Sequence, residues 1–199
     1  MPSRVLAQYE IALASASPRR RELLSLLVRE FRIVPSEFDE STVPGHLSPP
    51  AHVLYSASMK ARDIAAQFPH SLVIGADTVV VVDEAILGKP SDTADAARML
   101  RLLSGRTHEV YTGIALEHDG TQRADVECTE VTFRPLTDEI ISRYIASGEP
   151  MDKAGAYAIQ GKGAVLIKCV SGCYPNVVGL PLYKLSLLLS EFGIEALCE

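Results

Sequence analysis

The chain has 199 residues, with 47% apolar and 6% aromatic side chains, and a formal net charge of −6. No apolar run approaches the roughly 20 residues needed to cross a bilayer, which argues against a membrane protein. The acidic balance disfavours a broad nucleic-acid surface, and the length suits one domain over residues 1–199 or two closely packed lobes.

The start of the chain and the cysteines both predict a cytoplasmic protein. Residues 13–17 resemble a small-residue cleavage site, but Gln8, Tyr9 and Glu10 interrupt the apolar stretch before it, so we predict no signal peptide. The cysteines lack Cys-x-x-Cys spacing and are too few for a disulfide scaffold, which predicts reduced thiols at Cys128, Cys169, Cys173 and Cys198. The five histidines show no zinc-type spacing.

Strand and helix signals alternate along the first half of the chain. The pattern predicts strands over residues 11–14 and 31–34, and helices over 19–27 and about 49–68. Ser48, followed by two prolines, suits the start of the second helix. A nearly continuous β-branched run over residues 72–82 predicts a buried strand. This alternation indicates an α/β fold.

The second half adds antiparallel strands to this pattern. After a helix over residues 93–103, segments 107–117 and 123–133 flank His118-Asp119-Gly120, which predicts a long hairpin because Asp-Gly favours a tight reversal. Thereafter the sequence predicts a Thr-capped helix over 137–146, a turn-rich linker over 148–163, a strand over 164–169, a loop over 172–179 and a helix from near Pro181.

The first segment with chemical potential is Ser-Ala-Ser-Pro-Arg-Arg at residues 15–20, between a predicted strand and a predicted helix. A helix N-terminus presents free N–H groups, and hydroxyl and guanidinium donors beside it favour phosphate binding. The alternative is a capped helix with solvated arginines. The segment is not a P-loop, because the Gly-x-x-x-x-Gly-Lys-Ser/Thr spacing is absent from the chain.

Asp77 is the second candidate, because it interrupts the apolar run over residues 72–82. A carboxylate there costs free energy unless a metal, a cation or hydrogen-bond donors meet it. The alternative is a turn in which Asp77 binds backbone N–H groups.

Three further segments are weaker candidates when each is taken alone. Lys60 and Lys89 are explained equally well as solvated side chains. Residues 148–161 combine Glu149, Asp152, Lys153, Gln160 and spaced glycines, which is common in functional loops, although the charged groups could form ordinary surface salt bridges.

Together, these segments resemble the Maf family of nucleotide pyrophosphatases, once described as septum-formation inhibitors. The resemblance covers nearly the whole chain in order. It runs through Leu-Ala-Ser-Ala-Ser-Pro-Arg-Arg at 13–20, Gly-Ala-Asp-Thr-Val at 75–79, Gly-Lys-Pro at 88–90, Ser-Gly-Arg-Thr-His at 104–108, Thr-Gly at 112–113, residues 148–161 and Asn-Val-Val-Gly-Leu-Pro-Leu at 176–182. Cys-Tyr-Pro at 173–175 departs from the family pattern.

The resemblance implies a fold and a set of site residues. The fold is an elongated mixed β-sheet flanked by helices, with two lobes around a cleft, like the inosine-triphosphate pyrophosphatases. Asp77 is implied as the catalytic acid–base or metal-linked carboxylate, and Glu40 as a second metal ligand. Ser15, Arg20, Lys60 and Lys89 are implied to line the phosphate site. Arg19, Thr78 and Gln160 match the subgroup that acts on dTTP and UTP.

These features predict an enzyme that hydrolyses dTTP and UTP to the nucleoside monophosphate and pyrophosphate. Mg²⁺ or Mn²⁺ suits a site of one or two carboxylates plus phosphate. Two rivals stay open: an enzyme acting on 7-methyl-GTP or another non-standard nucleotide, and a regulator of cell division that binds nucleotide without hydrolysing it. The sequence leaves the oligomeric state open, a homodimer included.

Overall fold

The computed structural model describes residues 9–195, so Gln8 and Cys198, which entered two predictions above, lie outside the described residues. The α-helices are α1 (Pro18–Leu24), α2 (Pro49–Ala65), α3 (Thr93–Leu103), α4 (Asp138–Ile145), α5 (Tyr174–Val178) and α6 (Leu182–Glu191). The strands are β1 (Glu10–Leu13), β2 (Arg32–Ile33), β3 (Ser71–Val82), β4 (Ala85–Leu87), β5 (Thr107–His118), β6 (Thr121–Phe133) and β7 (Ile167–Ser171). Short 3₁₀ helices span Glu40–Thr42, Glu149–Asp152, Ala154–Ala156 and Gly161–Leu166.

The strands form one mixed sheet in the order β2-β1-β3-β5-β6-β7, with β4 paired to β3. β1 is parallel to both of its neighbours, since Leu13 pairs with Ile33 of β2 and with Ile74 of β3. β4 and β7 are antiparallel to β3 and β6. The predicted α/β class, with a mixed sheet flanked by helices, is confirmed.

The predicted hairpin is formed by β5 and β6. Asp119 and Gly120 connect the two strands, and both residues have positive φ angles, of 46° and 74°. Such two-residue turns match the right-handed twist of paired strands. The Asp-Gly dipeptide was therefore a reliable signal.

The described chain divides into two compact units. The first comprises the described residues up to Asp77, Thr112–Glu127 and the described residues from Gly179 on, whereas the second comprises Thr78–Tyr111 and Cys128–Val178. The single domain over residues 1–199 stays a prediction. None of the described helices combines the length and the apolar character needed to cross a membrane.

The core of the first unit covers both faces of its strands. Leu72 and Ile74 belong to a buried cluster with residues of α1 and α6, while Val73 belongs to a second cluster with Ala57 and Ala61 of α2. Side chains alternate between the faces of a strand, so Asp77 falls on the same face as Val73. This is the face that α2 covers.

The core of the second unit contains several buried polar groups. The His108 imidazole packs edge-on against Phe133 and Tyr157, with ring centroids 5.1 and 5.3 Å apart. Asn176, buried in α5, donates from Nδ2 to the Val110 carbonyl and to the Thr129 hydroxyl, both at 2.9 Å. These polar side chains connect the elements around them.

Several predicted boundaries differ from the structure. The helix predicted over residues 19–27 ends at Leu24, and the strand predicted over 164–169 begins only at Ile167, after a 3₁₀ helix. The predicted loop over 172–179 contains α5. Ser48 occupies the N-cap position of α2 without a capping hydrogen bond from its hydroxyl.

Candidate active site

A buried lysine joins two carboxylates in the first unit. Lys60 Nζ donates to Asp77 Oδ1 at 2.7 Å and to Glu40 Oε1 at 2.6 Å. The side chains of Lys60 and Asp77 are 10% and 9% exposed, whereas that of Glu40 is 55% exposed. Asp77 is therefore met by a cation, as its place in an apolar strand predicted.

Close contact between α2 and the sheet places Lys60 next to Asp77. A Cβ atom on Gly75, two residues before Asp77 in β3, would lie 2.2 Å from the carbonyl oxygen of Ala57. A Cβ on Gly113 of β5 would lie 2.4 Å from the carbonyl oxygen of Val53. The two glycines thus let the backbone of α2 lie directly on the strands.

A short 3₁₀ helix presents Glu40 to the same lysine. Asp39 caps this helix, because its side chain accepts a hydrogen bond from the Ser41 N–H at 2.9 Å. A hydrogen bond with the Ser41 side chain, followed by this backbone one, lowers the pKa of the Asp39 carboxyl. Glu40 follows the cap directly and reaches Lys60 from the exposed side.

Arg20 extends this group of charges beyond the end of β1. Its Nη1 donates to the Ser15 hydroxyl at 3.3 Å and to the Ala76 carbonyl at 3.0 Å, and its Nε donates to the Gly179 carbonyl at 2.9 Å. Burial lowers the pKa of the Arg20 guanidinium, while the charges of Asp77 and Glu40 raise it. The guanidinium is held in one orientation beside the carboxylates.

Two cationic and two anionic side chains thus converge at one place. Within residues 9–195, no group of three or more His, Cys, Asp or Glu side chains is placed to hold a metal ion. Mg²⁺, however, is usually held by one or two carboxylates together with substrate phosphates. The convergence of Glu40 and Asp77 on a single cationic atom, Lys60 Nζ, fits such a shared site.

The structure places the remaining predicted site residues as follows. Arg19 lies in the first turn of α1 and is partly exposed. Thr78 is partly buried in β3, directly after Asp77. Lys89 and Gln160 are exposed residues of the second unit. The roles assigned to all four stay predictions.

The interpretation of the sequence missed two polar side chains near Gln160. Tyr144 O–H donates to Glu149 Oε1 at 2.9 Å, and Tyr144 accepts from the Ala158 N–H at 3.1 Å. A tyrosine on the apolar face of a predicted helix gave no sign of this role. Glu149 was considered as part of a functional loop or as a partner in surface salt bridges, and not as an acceptor for the backbone around Gln160.

The chain is similar to a known family and to named relatives. Residues 10–192 match the family described as Maf-like protein. A dTTP/UTP pyrophosphatase of Moorella thermoacetica is 53% identical over 188 residues, which cover 94% of this chain and 96% of that protein. A dTTP/UTP pyrophosphatase of Pelotomaculum thermopropionicum is 50% identical over 190 residues, which cover 94% of this chain and 99% of that protein.

A solved structure gives a more distant match. A HAM1 protein from Coxiella burnetii aligns over 63% of this chain and 73% of its own, with 21% identity and a TM-score of 0.43.

Proposed function

The chain belongs to the Maf-like protein family, and we propose that it hydrolyses dTTP and UTP to the nucleoside monophosphate and pyrophosphate. The buried Lys60, held between Asp77 and Glu40 beside Arg20, is the observation that carries the proposal. The relatives named dTTP/UTP pyrophosphatase support the choice of nucleotides.

The charges of the site suit a polyanionic substrate. A triphosphate must be partly neutralised before a nucleophile can approach its phosphorus atoms. Arg20 supplies a fixed guanidinium with several donors, and Lys60 supplies a buried ammonium. Both would stabilise the negative charge that develops on the leaving pyrophosphate. Lys89 is proposed to act on the same phosphates.

Asp77 is proposed as the group that orients water and accepts its proton. The water oxygen forms a bond to the α-phosphorus, and the bond between that phosphorus and the bridging oxygen breaks. The electron pair of the broken bond leaves with the pyrophosphate. Asp77 suits this role because its carboxyl group is buried and held in place by Lys60.

A divalent cation, Mg²⁺ or Mn²⁺, is proposed as the cofactor. Glu40 and Asp77 would hold it together with phosphate oxygens, because carboxylates are the ligands that such hard cations prefer. When bound, the cation would neutralise phosphate charge.

Base recognition is proposed for Gln160, with Arg19 and Thr78 as further substrate-binding residues. A glutamine amide accepts from the N3–H of uracil or thymine and donates to O4, whereas cytosine offers an unprotonated N3 and an amino group. This pattern would favour UTP and dTTP over CTP. We also propose a cytoplasmic location, where thiols such as that of the exposed Cys169 stay reduced.

The test is a panel of nucleoside triphosphates assayed with Mg²⁺ or Mn²⁺ in water enriched in ¹⁸O. The expected products are UMP or dTMP plus pyrophosphate, with the label in the monophosphate because water attacks the α-phosphorus. Excess EDTA should stop the reaction.

Three results would contradict the proposal. Release of UDP and orthophosphate would show attack at the γ-phosphorus. A preference for 7-methyl-GTP would favour the alternative substrate class. Tight binding of UTP without turnover would indicate a nucleotide-binding regulator.

A further inference from the structure

Glu149 is hydrogen-bonded to the segment that carries Gln160, directly on one side of Gln160 and through Tyr144 on the other. Its Oε1 accepts from the Gly163 N–H at 2.9 Å, and its Oε2 accepts from the Lys162 N–H at 3.0 Å. On the other side of Gln160, the Ala158 N–H donates to Tyr144, whose hydroxyl donates to Glu149 Oε1. One carboxylate therefore fixes residues 158–163, directly and through Tyr144.

Two glycines make this close approach possible. A Cβ atom on Gly161 would lie 2.6 Å from Glu149 Oε2, and the φ angle of this residue is +74°. A Cβ on Gly163 would lie 2.6 Å from the Tyr144 hydroxyl and 2.2 Å from the Ala158 carbonyl oxygen. The backbone on the C-terminal side of Gln160 is thus shaped around the two side chains.

The charge of Glu149 suits this position. Lys162 N–H and Gly163 N–H are donors at the start of the 3₁₀ helix Gly161–Leu166, where the N–H groups have no partner within the helix. Hydrogen bonds to a carboxylate are stronger than those to a neutral acceptor. Glu149 is partly buried, which strengthens them further.

We infer that Glu149, supported by Tyr144, is a positioning residue that fixes Gln160 for recognition of the pyrimidine base. The inference rests on the proposed function, in which Gln160 binds the uracil or thymine edge. A rigid backbone on both sides of Gln160 lowers the entropic cost of ordering this segment when the nucleotide binds. A wrong base then pays more of the penalty for unmade hydrogen bonds, because the backbone that carries the amide does not move to relieve it.

The test compares Glu149→Gln with the matched control Glu139→Gln. Glutamine keeps one accepting oxygen but puts an N–H₂ group where the second oxygen accepted a backbone N–H. Glu139 is exposed on α4 and pairs with Arg143 one helical turn away, so the same substitution there should change nothing. Glu149→Gln should lower the kcat/KM ratio of UTP over CTP by about tenfold, roughly the contribution of one charged hydrogen bond.

A double-mutant cycle with Gln160→Ala separates positioning from a general structural role. If Glu149 acts through Gln160, adding Glu149→Gln to Gln160→Ala leaves the UTP-to-CTP ratio where Gln160→Ala alone put it. Faster amide hydrogen exchange over residues 158–163 in Glu149→Gln should accompany the loss of selectivity.

The inference is overturned if Glu149→Gln slows hydrolysis of UTP and CTP equally, or if the two substitutions reduce the ratio independently. Unchanged amide exchange over residues 158–163 would also overturn it, and this readout does not depend on activity. Failure of the proposed function appears separately, as an unmodified protein that hydrolyses neither UTP nor dTTP.

Discussion

At the scale of single residues, Lys60 has a structural effect in addition to its proposed role of offsetting phosphate charge. Removing a carboxylate from water is costly, and the cost is compensated only when opposite charge and hydrogen bonds replace the lost hydration. Lys60 supplies both to Asp77 at 2.7 Å.

Asp77→Asn should preserve the fold and lower kcat by at least about 100-fold, the order lost when a positioned acid–base group is removed. The amide is nearly isosteric and leaves Lys60 in contact with Glu40. The measurement is kcat for UTP, together with circular dichroism and the midpoint of thermal unfolding.

Asp138→Asn is the matched control for this substitution. Asp138 is 76% exposed and pairs with Arg101, so its loss should leave kcat unchanged. Near-full activity of a folded Asp77→Asn protein would assign Asp77 a structural role in its strand.

At the scale of elements, the contact of α2 with β3 and β5 determines where the charges of the site meet. Lys60 and Asp77 belong to different elements, and their approach depends on a helix backbone lying directly on the sheet. Only glycine at positions 75 and 113 lets the α2 backbone lie this close to β3 and β5. The packing of the first unit and the geometry of its site therefore have a common origin.

Gly75→Ala should lower the free energy of unfolding by about 1–3 kcal/mol, the usual cost of inserting a carbon into a packed interface. It should also lower kcat, because α2 must move away from β3 and take Lys60 with it. Chemical denaturation and the UTP assay measure the two effects.

Gly45→Ala is the control for that substitution, since nothing lies within 4 Å of a Cβ placed on Gly45. Gly45→Ala should leave the free energy of unfolding and kcat within error of the values for the unmodified protein. A Gly75→Ala protein as stable and active as that control would show that α2 is not in close contact with β3.

The elements with strong local signals were predictable from the sequence. The apolar run at residues 72–82 became β3, and Asp119-Gly120 became the turn between β5 and β6. The 3₁₀ helix Gly161–Leu166 was not predictable, because Glu149 accepts from the N–H groups at its start through contacts that no periodicity reveals. Such contacts depend on tertiary structure.

The site was predictable to a smaller extent. Asp77 was identified from its position in an apolar strand, whereas Lys60 alone was indistinguishable from a solvated lysine on a helix. Glu40 entered only through the family resemblance. The contact of both Asp77 and Glu40 with the Lys60 ammonium depends on the close packing of α2 at the two glycines, which the sequence pattern does not specify.

At the scale of the whole molecule, His108 makes the free energy of unfolding depend on pH. The residue is 2% exposed, and its Nε2 lies 2.7 Å from the Tyr157 hydroxyl. Among the described residues, His108 Nδ1 has no hydrogen-bond partner. Burial lowers the pKa of His108 from 6.5 to about 4 and raises the pKa of Tyr157. The imidazole is therefore neutral in the folded protein at neutral pH.

Protonation of His108 should destabilise the folded state as the pH falls. Its folded-state pKa is below the unfolded-state value, so between about pH 6.5 and about 4 the unfolded chain binds the extra proton and stability is lost. From the two pKa values, the loss between about pH 7 and about pH 5 is about 2 kcal/mol. Above about pH 6.5, both states are neutral and the contribution is constant.

His108→Gln should remove this part of the acid sensitivity, although the loss of packing against Phe133 lowers stability at every pH. The informative quantity is therefore the difference in unfolding free energy between about pH 7 and about pH 5, measured by urea denaturation. That difference should be about 2 kcal/mol smaller in His108→Gln than in the unmodified protein. His46→Gln, at an exposed position, is the control and should retain the original difference. If His108→Gln also retained the full difference in unfolding free energy, protonation of the buried imidazole would not be a source of acid sensitivity. The carboxylates would then have to account for the loss of stability at low pH.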